Sequence, residues 1–312
     1  VFMEGSTEYG GRTILQLPDC SFHVAMIRYL KQNSKEIKLE RGRGKDPRAL
    51  ANPGEITQMR ALNGKLNWSA REGMPQGAGD ASILAGKMPN PTIADITEAN
   101  AALRRLLVND TPIWIRSIPL DKLGLALFCD SSHGNAAGGT AQIGHLVCGC
   151  DKIIHTGVEA DISVLVYKSH KNNRAAPSTL LNESTGMSGG LADAEWVASW
   201  FGLCKDLNYD LRQRHLLNRE IKIVALVSKH ETTEFDIATI TDAKSLYDNL
   251  MQEQYTGAEK RAALEICVIR DSLETMNGVA RWIPHERNPS DPLTKLKGNV
   301  EPLLKMMRTG KY

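Results

Sequence analysis

Long apolar runs are missing from this chain of 312 residues. Its most hydrophobic stretches, around Leu125–Phe128 and Ile221–Val227, are strand-sized, far short of the roughly 18 residues that a membrane span needs. A soluble protein without membrane partners is expected. Aromatic residues are scarce, at 5%. The six cysteines (Cys20, Cys129, Cys148, Cys150, Cys204, Cys267) form no C-x-x-C pair, which argues against a zinc site, and are too few for a disulfide scaffold. Reduced thiols in a cytoplasmic or nuclear setting are expected. There is no basic, then apolar, then small-residue leader, and the chain opens at Val1, so it reads as a piece of something longer. Charge of one sign is lacking too: 38 Lys and Arg against 36 Asp and Glu give +2, which says nothing about a polyanionic partner.

What is present is enough apolar material for ordinary cores, 42% of residues, and a length that suggests about two domains. Two short apolar stretches, Thr13–Leu17 and Phe22–Leu30, precede a basic strip. Between Arg28 and Arg48, eight Lys and Arg face three acids, which suits either a solvated linker or a phosphate-contacting surface. From Ile56 to Asn109 the period is helical. Leu62, Leu66 and Ala70 share one face, and Thr92 with Asp95 forms a capping box ahead of Ile93, Ile96, Ala99, Leu103 and Leu106.

After Pro119 the pattern becomes α/β. Leu123–Asp130, Thr140–Cys148 and Ile162–Tyr167 read as an antiparallel meander, and a long helix follows from Ser178 to about Asp206. Ile237–Thr241 is a strand feeding a helix from Asp242, a further helix runs from about Ala258 to Thr275, Val279–Ile283 is the last strand, and a short helix opens at Asp291-Pro292. Ile221–Val227 is either a fourth strand with an insertion after it or an extra one.

In this βββαβαβα order four acids fall at element ends: Asp130, Glu183, Asp242 and Asp291. Strand C-termini and helix N-termini meet at one edge of an α/β sheet, so the four can converge. Converged carboxylates repel and raise one another's pKa unless divalent cations neutralise them. Singly, each has a plainer reading: Asp130 as a turn residue, Glu183 as a first-turn helix residue, Asp242 as an N-cap, and Asp291 before Pro292 as an N-cap with proline at the first helical position.

The local wording links them. Phe128-Cys129-Asp130-Ser131-Ser132, Ser178-Thr179-Leu180-Leu181-Asn182-Glu183, Thr241-Asp242-Ala243-Lys244-Ser245-Leu246 and Asn288-Pro289-Ser290-Asp291-Pro292-Leu293-Thr294-Lys295 occur in this order. The series resembles the ribonuclease H domain of copia-type LTR-retrotransposon Pol polyproteins. Upstream, Leu62-Asn63-Gly64-Lys65-Leu66-Asn67-Trp68 resembles the segment after the polymerase palm, and Thr92–Leu107 the helix before the nuclease. The resemblance covers roughly residues 20 to 296, and the last block is its most specific part.

The resemblance implies a ribonuclease H-like mixed five-stranded sheet with flanking helices, preceded by a small, mainly helical module from the end of a reverse transcriptase. It divides the chain into a palm remnant (1–45), a thumb- or connection-like module (46–118), the nuclease (119–298) and a tail (299–312). It implies hydrolysis of the RNA strand of an RNA–DNA hybrid. Two Mg²⁺ ions, or Mn²⁺, would be held by Asp130, Glu183, Asp242 and Asp291, and His285 would assist product release. Ser131, Ser132 and Ser245 are candidates for contacting 2′-hydroxyls, and Lys168, Lys171, Arg174 and Lys244 for gripping phosphates. The remaining polyprotein would be a partner.

Departures accompany the resemblance. No Asp-Asp pair occurs, so a polymerase site is not expected. Gly186, Gly189 and Gly190 are unusual inside a long helix, where each glycine costs up to about 1 kcal/mol relative to alanine. A catalytically decayed nucleic-acid-binding or connection module is therefore the alternative. Glu195 rivals Glu183, although the preceding Ser-Thr favours Glu183. Gly186-Met187-Ser188-Gly189-Gly190 satisfies G-x-S-x-G, with His215, His230 and His285 downstream, and a serine hydrolase would need that motif on a strand-to-helix elbow.

Overall fold

Along residues 123–129, 146–148 and 237–240, even-numbered and odd-numbered side chains alternate, and the two sets bury on opposite faces of one sheet. The computed structural model describes residues 5–136, 138–174, 176–205, 237–252, 257 and 259–312. Ile221–Val227, His215 and His230 lie outside them. Strands β5 (Leu123–Ala136), β6 (Thr140–Asp151) and β7 (Ile162–Lys171) form an antiparallel meander, while β8 (Ile237–Thr241) and β9 (Val279–Trp282) add in parallel beside β5. The order is β7-β6-β5-β8-β9, the mixed five-stranded sheet expected.

Helix α5 (Thr179–Lys205) covers the odd-numbered face. Leu125, Leu127, Cys129 and Val147 pack there with Met187, Leu191 and Ala194, together with Leu246 of α6 (Lys244–Met251) and Ile266 and Ile269 of α7 (Lys260–Thr275). Gly186 and Gly190 of α5 are part of this packing. A Cβ on Gly190 would lie 2.7 Å from Leu127, and one on Gly186 would lie 3.1 Å from Ile143. The helix is continuous because the absent side chains let it approach the sheet.

The N-terminal part is less purely helical than expected. Four short strands, β1 (Gly5–Tyr9), β2 (Arg12–Gln16), β3 (Phe22–Ala25) and β4 (Ile113–Ile115), make a second, antiparallel sheet. With it go helices α1 (Ile27–Asn33), α2 (Pro53–Gly73), α3 (Ala78–Ala85) and α4 (Ile93–Val108). The Thr92–Asp95 capping box is present, as is a second at Asn52 and Glu55. Leu62, Leu66 and Ala70 are buried. This module covers the even-numbered face of the five-stranded sheet. Met59, Leu66, Ile96 and Leu103 share one core with Phe128, Leu146, Cys148 and Ile240.

Helix α8 (Glu301–Thr309) closes the same core through Leu303, Leu304, Met306 and Met307. The chain then pairs with Ala160, and the Tyr312 ring meets Phe128 edge-on at 4.7 Å. Among the described residues no helix is long and apolar enough to cross a membrane.

Candidate active site

Register fixes the first two acids. Asp130, expected at a strand end, lies inside β5 opposite Gly144, one residue past the parallel pair Cys129 and Thr241; Thr241 pairs with Trp282, and Asp242 follows β8 directly, so the two acids stand at the same level of the sheet. Asp242 lies outside α6, which starts at Lys244. Its plainer reading as an N-cap does not hold: the Thr241 hydroxyl accepts the Ala243 N–H instead, and the Asp242 carboxylate is left to pair with His285. Glu183 is carried in by the second turn of α5, and Ser178 caps the start of that helix by accepting the Leu181 N–H.

The last block is held more tightly than a helix N-terminus would be. The helix expected at Asp291 is a single 3₁₀ turn, Asp291–Leu293, beyond which Lys297 adopts the left-handed region (φ 59°) and Gly298 folds back on Asp291. Asn288, fully buried, donates to the carbonyl of Cys129 at 3.1 Å and so ties the turn to the middle of β5. The Thr294 hydroxyl donates to the Asp130 carboxylate, and its carbonyl accepts from Ser132 at 2.6 Å. Lys295 pairs with Asp291 and lies 3.6 Å from Asp130. Asp291 also accepts the Asn299 N–H at 2.6 Å, while His285 Nε2 stands 3.3 Å from it.

Asp130, Glu183, Asp242, Asp291 and His285 thus share one site. Burial, opposed by Lys295 and Thr294 but reinforced by the Asp242 and Asp291 charges, pushes the Asp130 carboxyl up to about 6. Burial first and the charge of Asp130 second push Glu183 well above the ordinary carboxylate range. Buried Cys129 behind them is likewise held as the thiol. Glu183 Oε2 is buried without a hydrogen-bond partner. Among the described residues no three acidic, histidine or cysteine side chains already close on a single point. The Lys295 ammonium and His285 ring sit between the carboxylates. An all-oxygen donor set with an orphaned buried oxygen fits a hard divalent ion such as Mg²⁺ or Mn²⁺ in kind.

The other sequence candidates are dispersed. Ser131 and Ser132 are buried, and the Ser132 hydroxyl is spent on Thr294. Lys168 pairs with Asp193 of α5 at 2.7 Å, Arg174 with Glu265 of α7 at 2.5 Å, and Lys244 with Asp248 one turn along α6. Lys171, at the end of β7, and Ser245, in the first turn of α6, are exposed. Glu195 lies three turns beyond Glu183 on α5, roughly 18 Å of helix. Ser188 sits inside α5, so the serine-hydrolase elbow does not exist. In the basic strip, Arg28 pairs with Glu8 and Arg43 grips buried Glu55 through two hydrogen bonds of 2.7 and 2.9 Å. Asn288, Thr294 and Lys295 were visible in the last motif but given no role. Their signal was the spacing itself, since Lys295 follows Asp291 by four residues.

Fold and site together define an α/β protein with a carboxylate cluster at the edge where the parallel strands of a mixed sheet end. No family model and no curated protein matches this chain. Among solved structures it is similar to the N-terminal ribonuclease H domain of rv2228c from Mycobacterium tuberculosis, solved as a fusion with maltose-binding protein. That match has 16% identity and a TM-score of 0.34, and covers 55% of this chain and 91% of that one. It is also similar to ribonuclease H1 of the archaeon Halobacterium salinarum NRC-1, at 13% identity and a TM-score of 0.34, over 55% of this chain and 93% of that one.

Proposed function

We propose that this chain hydrolyses the RNA strand of RNA–DNA hybrids in a divalent-ion-dependent reaction, as the C-terminal part of a copia-type retrotransposon polyprotein. The observation that carries the reading is the buried cluster of Asp130, Glu183, Asp242 and Asp291, each from a different segment of the chain. Isolated buried carboxylates are costly, and a chain that gathers four has a use for their charge.

Bound Mg²⁺ or Mn²⁺ would supply Lewis-acid stabilisation of the scissile phosphate and of the charge that develops on it. The remaining work falls to side chains. Thr294 and Asn288 bind the middle of β5, where Thr294 holds the Asp130 carboxylate. Lys295 offsets part of the negative charge. His285, more than half exposed, stands at the rim between Asp242 and Asp291, where it would assist product release. Exposed Lys171 and Ser245 are candidates for contacts to the hybrid backbone. In this reading residues 1–118 are the end of a reverse transcriptase, the nuclease follows, and residues 299–312 complete the core.

The test is cleavage of a labelled RNA–DNA hybrid with Mg²⁺, comparing wild type with Asp130→Asn. Cleavage by wild type that is lost on chelation and lost in the variant supports the reading. Hybrid binding without cleavage in either protein would favour the decayed nucleic-acid-binding module.

A further inference from the structure

The loop that carries Asp291 and Lys295 has two sides. One rests on the five-stranded sheet: Gln142 bonds Ser169 at 2.8 Å, Ser169 donates to the Leu293 carbonyl at 2.5 Å, and Gly144 admits Leu293 where a Cβ would come within 2.5 Å. The other rests on the N-terminal helices. Gly79 of α3 lies under the Pro292 carbonyl so closely that a Cβ there would be 2.2 Å away. Next to it, buried Asp80 accepts the backbone N–H of Lys297 at 3.3 Å.

Asp80 does not act alone. Arg105 of α4 donates to Asp80 Oδ2 at 2.7 and 3.2 Å and to Glu98 at 2.8 Å, and Glu98 pairs with the Lys297 ammonium at 2.9 Å. This closed ring of four charges clamps Lys297, whose left-handed backbone a side-chain-bearing residue rarely adopts without support. Gly298 and Asn299 follow directly, and it is the Asn299 N–H that holds the Asp291 carboxylate. The route from α4 to the acidic cluster is therefore a short series of hydrogen bonds.

We propose that Asp80 and Arg105 are positioning residues for the carboxylate site, and that the N-terminal helical module is a working part of that site rather than an appendage. The proposal rests on the reading of the cluster as a divalent-ion site. Asp80 and Arg105 touch neither substrate nor ion. They act by fixing Lys297, through it Asn299, and so the orientation of Asp291.

Arg105→Gln and Asp80→Ala are to be compared with wild type and with Thr92→Ala, which weakens the start of the same helix α4 far from the loop. Two measurements are needed on the full chain. Hydrogen exchange of the segment 288–299 should speed up in Arg105→Gln and Asp80→Ala and stay at the wild-type rate in Thr92→Ala. Mn²⁺ affinity by calorimetry should weaken by roughly tenfold or more in the first two, as for residues that orient ligands, and be unchanged in the third. Asp80→Asn, which keeps an acceptor for the Lys297 N–H, should recover part of the affinity.

Unchanged exchange in Arg105→Gln and Asp80→Ala, or equal acceleration in Thr92→Ala, would overturn the positioning role. If exchange responds as expected but wild type binds no Mn²⁺, the ion-site reading fails, and the coupling of module to loop stands as a structural fact only.

Discussion

Asp130 offers a pH test at the scale of single residues. Its carboxyl is raised from an ordinary 3.8 to about 6, chiefly by burial. Between those values the folded chain keeps a proton that the unfolded chain has released. The unfolded state then binds fewer protons, so this group makes stability fall as pH rises through the window. Above about pH 6 the ion-free protein carries the full penalty, roughly 3 kcal/mol for about two units. Asp130→Asn removes the charge and keeps an oxygen for Thr294. The variant should therefore melt higher than wild type without divalent ions near pH 7.5, with the advantage vanishing near pH 4. Thermal denaturation at the two pH values checks this; a variant less stable at both would mean that the carboxylate is not strained. Thr294→Val acts in the opposite sense. It deletes a bond that holds the Asp130 carboxyl down, so Mn²⁺ binding should need a higher pH than in wild type, measured as a calorimetric pH profile.

Elements give a paired test of why α5 contains glycine. Gly189 is exposed with nothing within 4 Å of a Cβ, whereas Gly190 has Leu127 at 2.7 Å and His145 at 3.3 Å. Gly189→Ala should stabilise by about 0.5–1 kcal/mol from helix propensity alone. Gly190→Ala should destabilise despite the same gain, because α5 must move off the sheet. Denaturant midpoints distinguish the two, and a gain from both would mean that the close approach is unimportant. This contrast also marks the limits of the sequence as a guide. Period and capping placed α2, α4, α5 and the five strands after Pro119, because those elements bury one face and their signals are local. The three glycines looked like decay, since the neighbours that Gly186 and Gly190 admit lie more than forty residues away. β1 was illegible for another reason: all five of its residues are exposed, so no alternation was there to read. α8 was missed although its signals are local, Pro302 at the start, Gly310 at the end and Leu303, Leu304, Met306 and Met307 on one face, because the segment was assigned to a tail. In the site, the four acids were legible from motif order, while Lys295, Thr294 and Asn288 gain their roles only when the 3₁₀ turn docks on β5.

On the scale of the whole molecule the two halves have one core on the even-numbered face of the sheet. Phe128, Leu146, Cys148 and Ile240 are each no more than 4% exposed because α2, α4 and α8 lie over them. A fragment starting at residue 119 would turn that face to water and lose the support of Asp80 for the acidic loop. The full chain should therefore unfold in one cooperative transition rather than two. Trp68 and Trp114 lie in the N-terminal module, and Trp196, Trp200 and Trp282 in the other half, so single-tryptophan variants report each half separately. Their denaturation curves should coincide. Leu304→Ala, at a fully buried position of α8, should cost about 2–5 kcal/mol and shift both reporters together. A module that unfolds first while Trp196 and Trp200 keep their native signal would show that the shared core is not what stabilises the five-stranded sheet. The acidic site would then be able to form without the N-terminal helices.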